Sequence, residues 1–301
     1  VWLPASATLE AGLRTLGEHR ILSVPVVDTD SASFLGVFDV FDVVAFFVFK
    51  PHFTDRQREE AYMQFKGTRL GHDTVGSHMR SLSRTHRKEA VTIPDTHPLI
   101  EVMRLFSSGV FRVFVHPHDQ PDSPEKHQVI SQVDVVRFIH DKASSIRLAE
   151  LFDKEIEKLG LCTGPSCNAD KRPTLVTVTP SATASDALKL LFKENINALA
   201  VVDESTGKII SQLSASDLRG LTSTTLSRLL LPVMEFLDQM GSRLPQPITC
   251  TPETHLGEVV RLMVEGRVHR VWVTSSANGA LAGVVTMTDV IRLALARSAA
   301  S

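Results

Sequence analysis

The sequence predicts an α/β protein built from four copies of one unit, and two observations carry that prediction. A strand start with a proline, an amphipathic helix, an apolar strand and a second strand leading to an aspartate recur four times in the same order. The prolines are Pro4, Pro94, Pro180 and Pro252, and the aspartates are Asp42, Asp134, Asp217 and Asp289. Counted from proline to aspartate, the copies span 38, 40, 37 and 37 residues. Matched spans with matched internal order mark a repeat, and repeats bury their apolar faces against one another. The functional surface is therefore expected between copies.

Each element follows from its own pattern. Helical periodicity places Leu9, Leu13 and Leu16 on one face in the first copy, and Leu99, Val102, Met103 and Phe106 in the second. Ala187, Leu188, Leu191 and Phe192 do the same in the third copy, and Leu256, Val259, Val260 and Met263 in the fourth. A polar break then leads into strands over 23–28, 111–116, 198–203 and 269–274, which are β-branched and nearly continuous in apolar character, as in strands covered on both faces. Further strands are expected at 34–38, 128–130, 208–213 and 282–285, each followed by a helix near the aspartate.

The repeats divide the chain into segments 1–50, 91–142, 175–222 and 248–297, joined by connectors at 51–90, 143–174 and 223–247. The first connector has a helical pattern from Asp55 to Phe65, and the second from Ile146 to Leu159. The Gly/Pro/Cys/Asn stretch Gly160–Arg172 is expected to separate two halves of two repeats each, since connections this long are unusual inside one compact unit.

Composition excludes several classes. With 43% hydrophobic residues, 22% charged residues and a net charge of −2, the chain has a globular profile with no overall drive toward nucleic acid or anionic membrane. The apolar run Phe34–Phe49 is too short to span a bilayer and is interrupted by Asp39 and Asp42. No basic, apolar leader is visible, and with the chain opening on Val1 rather than methionine, residues upstream are expected. Three cysteines (Cys162, Cys167, Cys250) point to a reducing compartment, so the cytoplasm is expected, with the nucleus as an additional location. Cys162 and Cys167 lack further ligands at metal spacing. The basic run Arg84–Lys88 has no interleaved aromatics and reads as a solvated loop. No nucleophile–base pair or Gly-rich phosphate loop can be assembled, so no enzyme is expected.

Chemistry concentrates where the last strand of each copy meets its helix: Asp39-Val-Phe-Asp42, Ser131-Gln-Val-Asp134, Ser214-Ala-Ser-Asp217 and Thr286-Met-Thr-Asp289. Two readings fit. The first residue can cap the helix while the aspartate three positions on completes a capping box. Alternatively, a carboxylate beside free helix N–H groups can accept both hydroxyls of a ribose while the helix end faces an anion.

The unit order, the Pro25-Val-Val-Asp28 and Ala200-Val-Val-Asp203 strands and the Gly283–Asp289 segment resemble cystathionine-β-synthase-type (CBS) domains. Four copies in one chain resemble the gamma subunits of AMP-activated and SNF1-related protein kinases and their plant and fungal gamma-like relatives. The resemblance implies two Bateman modules in a pseudo-symmetric disk, with AMP, ADP or ATP in clefts between repeats. It assigns ribose binding to Asp42, Asp134, Asp217 and Asp289. Phosphate binding falls on His269 and Arg270, with Arg112 in the equivalent place of the second copy. Phe111 replaces the histidine there, and Ile21-Leu22-Ser23 carries no base. Ile196, Asn197 and Ala198 match the adenine-facing strand edge, and Ser131, Ser214, Ser216, Thr286 and Thr288 stand at the helix starts. The implied partners are a protein kinase catalytic subunit and its beta-type scaffold, with no nucleic acid or membrane. A nucleotide-independent scaffold, and a sensor of another adenosyl ligand such as S-adenosylmethionine, are the alternatives.

Overall fold

The computed structural model describes residues 1–29, 33–41, 43–44, 73–81, 91–119, 126–143, 145, 148–161, 175–241 and 246–298. Asp42, Cys162, Cys167, the 84–88 run and the expected 55–65 helix lie outside the described residues.

Each repeat folds into one three-stranded sheet around a helix. In the first, β1 (Leu3–Pro4) runs parallel to β2 (Ser23–Asp28), which pairs antiparallel with β3 (Ser33–Asp39), and α1 (Leu9–Glu18) connects the first two strands. The second repeat has β4 (Thr92–Pro94), β5 (Arg112–His116) and β6 (Gln128–Ser131) in the same relation, with α3 (Leu99–Ser107) between β4 and β5. Ahead of it, α2 (Val75–Ser81) packs on α1, β2 and β3. The second repeat continues into α4 (Gln132–Lys142), and α5 (Ala149–Phe152) lies in the connector that follows. The third repeat orders β7 (Thr177–Val178), β8 (Ala198–Val202) and β9 (Ile209–Ser214), with α6 (Ala184–Lys193), and α7 (Val233–Gln239) follows. The fourth has β10 (Thr249–Cys250), α8 (Leu256–Glu265), β11 (Arg270–Thr274), β12 (Leu281–Thr286) and the terminal helix α9 (Met287–Ser298).

The first helix of every repeat ends in the same device. The amide of the second residue past the cap bonds back five residues: Ile21 to Leu16, Val110 to Leu105, Ile196 to Leu191 and Val268 to Met263, at 2.9–3.2 Å. The residue between is left-handed in each case: Arg20 at φ 51°, Gly109 at 103°, Asn195 at 51° and Arg267 at 52°. These are Schellman caps, which satisfy helix-end carbonyls and turn the chain into the next strand through an apolar residue. Ile196 is such an anchor, and its place in the fold is explained by that alone.

Contact density separates two compact units. The first comprises Val1–Ala90, Val176–Val202 and Ser211–Pro245, so it holds the first and third repeats. The second comprises Val91–Leu175, Asp203–Ile210 and Gln246–Ser301, holding the second and fourth. Each unit takes one repeat from either side of Gly160–Arg172. In the first, Leu9, Leu13, Leu16 and Phe38 share a core with Leu188, Leu191, Leu213 and Phe236. Gly17 is required where α1 meets the third repeat, because a Cβ there would stand 2.9 Å from Thr222 Cγ2 and 3.1 Å from the Leu221 carbonyl oxygen. In the second unit, Phe106, Val136 and Ile139 share a core with Val259, Met263, Val290 and Ile291, through packing of α3 on α9 and α4 on α8. The turn of the third repeat's hairpin belongs to this second unit: Leu281 N–H donates to the Gly207 carbonyl at 2.9 Å.

Two elements differ from the sequence expectation. The 146–159 helix shortens to α5, because Glu155 bridges to His255 and Ile156 N–H donates to the Thr254 carbonyl at 3.0 Å, which draws this segment onto the start of α8. Where a helix is expected at Asp217 there is a 3₁₀ turn, Ala215–Leu218, ended by extended Arg219 and by Gly220 at φ 82°.

Candidate functional site

The backbone builds one station four times, at the join of the third strand and the following helix. In each repeat the amide after the strand end donates to a carbonyl beside the start of the second strand. The bonds are Val40 to Leu22 (2.8 Å), Gln132 to Phe111 (3.1 Å), Ala215 to Asn197 (3.0 Å) and Met287 to His269 (3.1 Å). The register agrees, pairing Ser23 with Asp39, Arg112 with Ser131 and Arg270 with Thr286. Leu22, Phe111, Asn197 and His269 are therefore structural equivalents. So are Ser23, Arg112, Ala198 and Arg270. Residues directly opposed across an antiparallel pair share a face of the sheet, so Arg112 and Arg270 lie beside the capping residues of their own repeats.

Three of the four aspartates are described, and each is held identically through Oδ2. Ser131 donates to Asp134 from its N–H at 2.8 Å and its hydroxyl at 2.6 Å. Ser214 does so to Asp217 at 2.7 and 2.9 Å. Thr286 does so to Asp289 at 2.9 and 2.7 Å, and the Asp289 N–H returns a bond to the Thr286 hydroxyl at 3.3 Å. This is capping-box chemistry, which orders the helix start and sets a negative charge against its positive end. In the first repeat Asp39 takes the capping place, and its Oδ1 accepts from Phe41 N–H at 2.9 Å.

Capping engages one oxygen and leaves the chemistry of the other to its surroundings. Asp134 is exposed, Asp217 half-buried, and the Asp289 side chain 20% exposed. Asp289 Oδ1 lies 4.0 Å from Arg292 Nη1, while Arg292 Nε donates to the Ser107 carbonyl at 2.9 Å. A carboxylate oriented by its cap through one oxygen, with an arginine across the sheet, can accept from hydroxyls while a cation meets an anion.

The structure thus brings Ser131, Asp134 and Arg112 together in the second repeat, and Thr286, Thr288, Asp289, His269 and Arg270 in the fourth. Both groups belong to the second unit. In the third repeat Ser214, Ser216 and Asp217 stand with Ile196, Asn197 and Ala198, and Ala198 is nearly buried where the other two repeats have arginine. Two residues escaped sequence reasoning. Arg292 had a signal available, since Asp134-Val-Val-Arg137 and Asp289-Val-Ile-Arg292 repeat one spacing. Gln132 had none, because its partners are 22, 26 and 156 residues away.

Among the described residues no group of three or more His, Cys, Asp or Glu side chains could hold a metal ion, and no helix is long and apolar enough to cross a membrane. Cys250 is buried, which pushes its thiol up to about 12 and keeps it protonated at neutral pH.

A family model described as the CBS domain matches residues 1–48, 171–222 and 242–296. The second repeat, outside those stretches, has the same sheet order and register. The chain is 25% identical to the SNF1-related protein kinase regulatory subunit gamma-like PV42b of Arabidopsis thaliana, over 99% of this chain and 91% of the relative. It is 23% identical to the 5'-AMP-activated protein kinase subunit gamma of Kluyveromyces lactis, over 97% of this chain and 84% of that protein. Among solved structures, protein MJ1225 from Methanocaldococcus jannaschii superposes with a TM-score of 0.68 at 17% identity, covering 97% of this chain and 95% of the other. That likeness is one of fold.

Proposed function

We propose a regulatory role for this chain, which belongs to the CBS-domain family: an adenine-nucleotide-binding, gamma-like subunit or adaptor of a protein kinase of the SNF1/AMP-activated class. The carrying observation is the pair of stations in the second unit, where Arg112 faces Ser131 beside Asp134 and Arg270 faces Thr286 beside Asp289. A capped carboxylate suits ribose hydroxyls and a guanidinium suits phosphate, so the ligand is AMP, ADP or ATP. The names of the sequence relatives support a protein kinase as partner, and its catalytic subunit and beta-type scaffold are the partners this reading assigns. In this reading the chain is non-catalytic and cytoplasmic, and nucleotide acts by favouring one arrangement that the partner reads.

A second reading is a nucleotide-independent scaffold, favoured by the bonds on Oδ2 of Asp134, Asp217 and Asp289, which capping alone would explain. Calorimetric titration with AMP, ATP and adenosine, with and without the kinase partner, separates the two. The regulatory reading requires tighter binding of AMP than of adenosine and a partner that changes nucleotide affinity. Equal affinities, or partner binding indifferent to saturating AMP, would leave the scaffold.

A further inference from the structure

The residue that opens the helix after the third strand is Val40 in the first repeat, Ala215 in the third and Met287 in the fourth. In the second repeat it is Gln132, which is only 4% exposed. Its Nε2 donates to the Phe106 carbonyl at 3.2 Å, the Val110 carbonyl at 3.1 Å and the Thr288 hydroxyl at 3.0 Å. An amide nitrogen has two hydrogens, so three acceptors share them. Phe106 and Val110 belong to the Schellman turn that ends α3, and Thr288 precedes Asp289 at the start of α9. One side chain from the second repeat therefore ties its own helix end to the fourth repeat's station. Arg292 adds a parallel link between the same two helices through the Ser107 carbonyl.

We propose that Gln132 is a positioning residue for the fourth repeat's ligand station, an inference that rests on the nucleotide reading above. Thr288 accepts the amide hydrogen on its inner side, so its own hydroxyl hydrogen is directed away from Gln132 and serves as a donor beside Asp289. A donor there selects a ligand with an acceptor oxygen, such as a ribose or phosphate oxygen. The station in the fourth repeat is then set from the second, and the two stations of this unit are not independent.

The test is AMP titration of wild type, Gln132→Met, Thr288→Val, Thr288→Ser and the Gln132→Met/Thr288→Val double variant. Loss of one neutral hydrogen bond predicts about tenfold weaker binding for each of the first two single variants, and near wild-type affinity for Thr288→Ser. The double variant should be no weaker than Thr288→Val alone, the signature of residues acting through one bond. Unchanged affinity in Gln132→Met, or independent losses that multiply in the double variant, would overturn the positioning role. Because Gln132 also bonds two backbone carbonyls, amide exchange is read in the unliganded proteins. Faster exchange at Met287 and Asp289 relative to Ile291 in Gln132→Met supports the link, and uniform or unaltered exchange refutes it. Should wild type bind no adenine nucleotide, the nucleotide reading fails while the exchange result alone decides the positioning role.

Discussion

Replacing Asp289 by alanine removes both carboxylate oxygens, and the two roles are then read separately, capping as stability and the proposed ribose contact as affinity. Oδ2 accepts from Thr286 N–H and hydroxyl at 2.9 and 2.7 Å, and a cap of this kind is worth about 1 kcal/mol of stability. Oδ1 takes no role in the cap, and Arg292 approaches it only to 4.0 Å with a 58% exposed side chain, so that ion pair adds little. A hydrogen bond from a ribose hydroxyl to this charged oxygen would be worth about 1.5–3 kcal/mol, roughly a ten- to hundredfold loss of affinity on substitution. Asp289→Ala should therefore weaken AMP binding by that factor while the urea midpoint falls only by the equivalent of the cap. The assay pairs calorimetric titration with urea unfolding of the same preparations. Unchanged affinity beside a lowered midpoint would refute the reasoning and assign the carboxylate to the helix alone.

Three further outcomes follow from particular contacts. Arg270→Gln should narrow the gap between AMP and adenosine affinity by roughly tenfold or more, read by titration, while adenosine binding stays near wild type. Arg267→Gly should raise the unfolding free energy by up to about 1 kcal/mol, because Arg267 holds φ 52° with a side chain that resists it; Asn195→Gly, at φ 51°, should gain less, since asparagine tolerates that region. Asp203 is held at about 2 by hydrogen bonds from the Ser205 hydroxyl and from Thr206, so it favours the folded hairpin above its ordinary value of 3.8 and loses that effect as pH falls through about 2. Exchange of the Ser205 and Thr206 amides, followed from pH 5 down to 2, should stay slow until the bottom of that window, and early release near pH 4 would contradict it.

Local pattern made much of this legible. The periodic faces Leu9/Leu13/Leu16 and Leu256/Val259/Val260/Met263 are buried as their spacing required, and Asp134, Asp217 and Asp289 fall three residues past a Ser or Thr because a helix start needs that acceptor. What stayed hidden depends on distant residues. The 146–159 segment has a helical pattern, but backbone pairing with residues 254 and 255 overrides it beyond Phe152. The third repeat's helix ends at Arg219 because Gly220 takes a left-handed turn that carries the chain to Leu221 and Thr222 against α1. Gln132 reads locally as a polar helix residue, and only the folded chain shows its reach to Thr288.

The alternation of the chain between its two units bears on how it is made. The first core needs Leu9 and Phe38 together with Leu188 and Phe236, so the ribosome must pass the third repeat before that core can close. At roughly 5–20 residues per second, the interval from Val44 to Val178 lasts on the order of ten seconds. Throughout it the apolar faces of α1 and then α3 emerge without their partners, and closing so long a loop adds further delay. A nascent chain carrying only the first two repeats should therefore be a substrate for holdase chaperones, released once the third repeat joins the core of α1 and α9 then arrives to pack on α3.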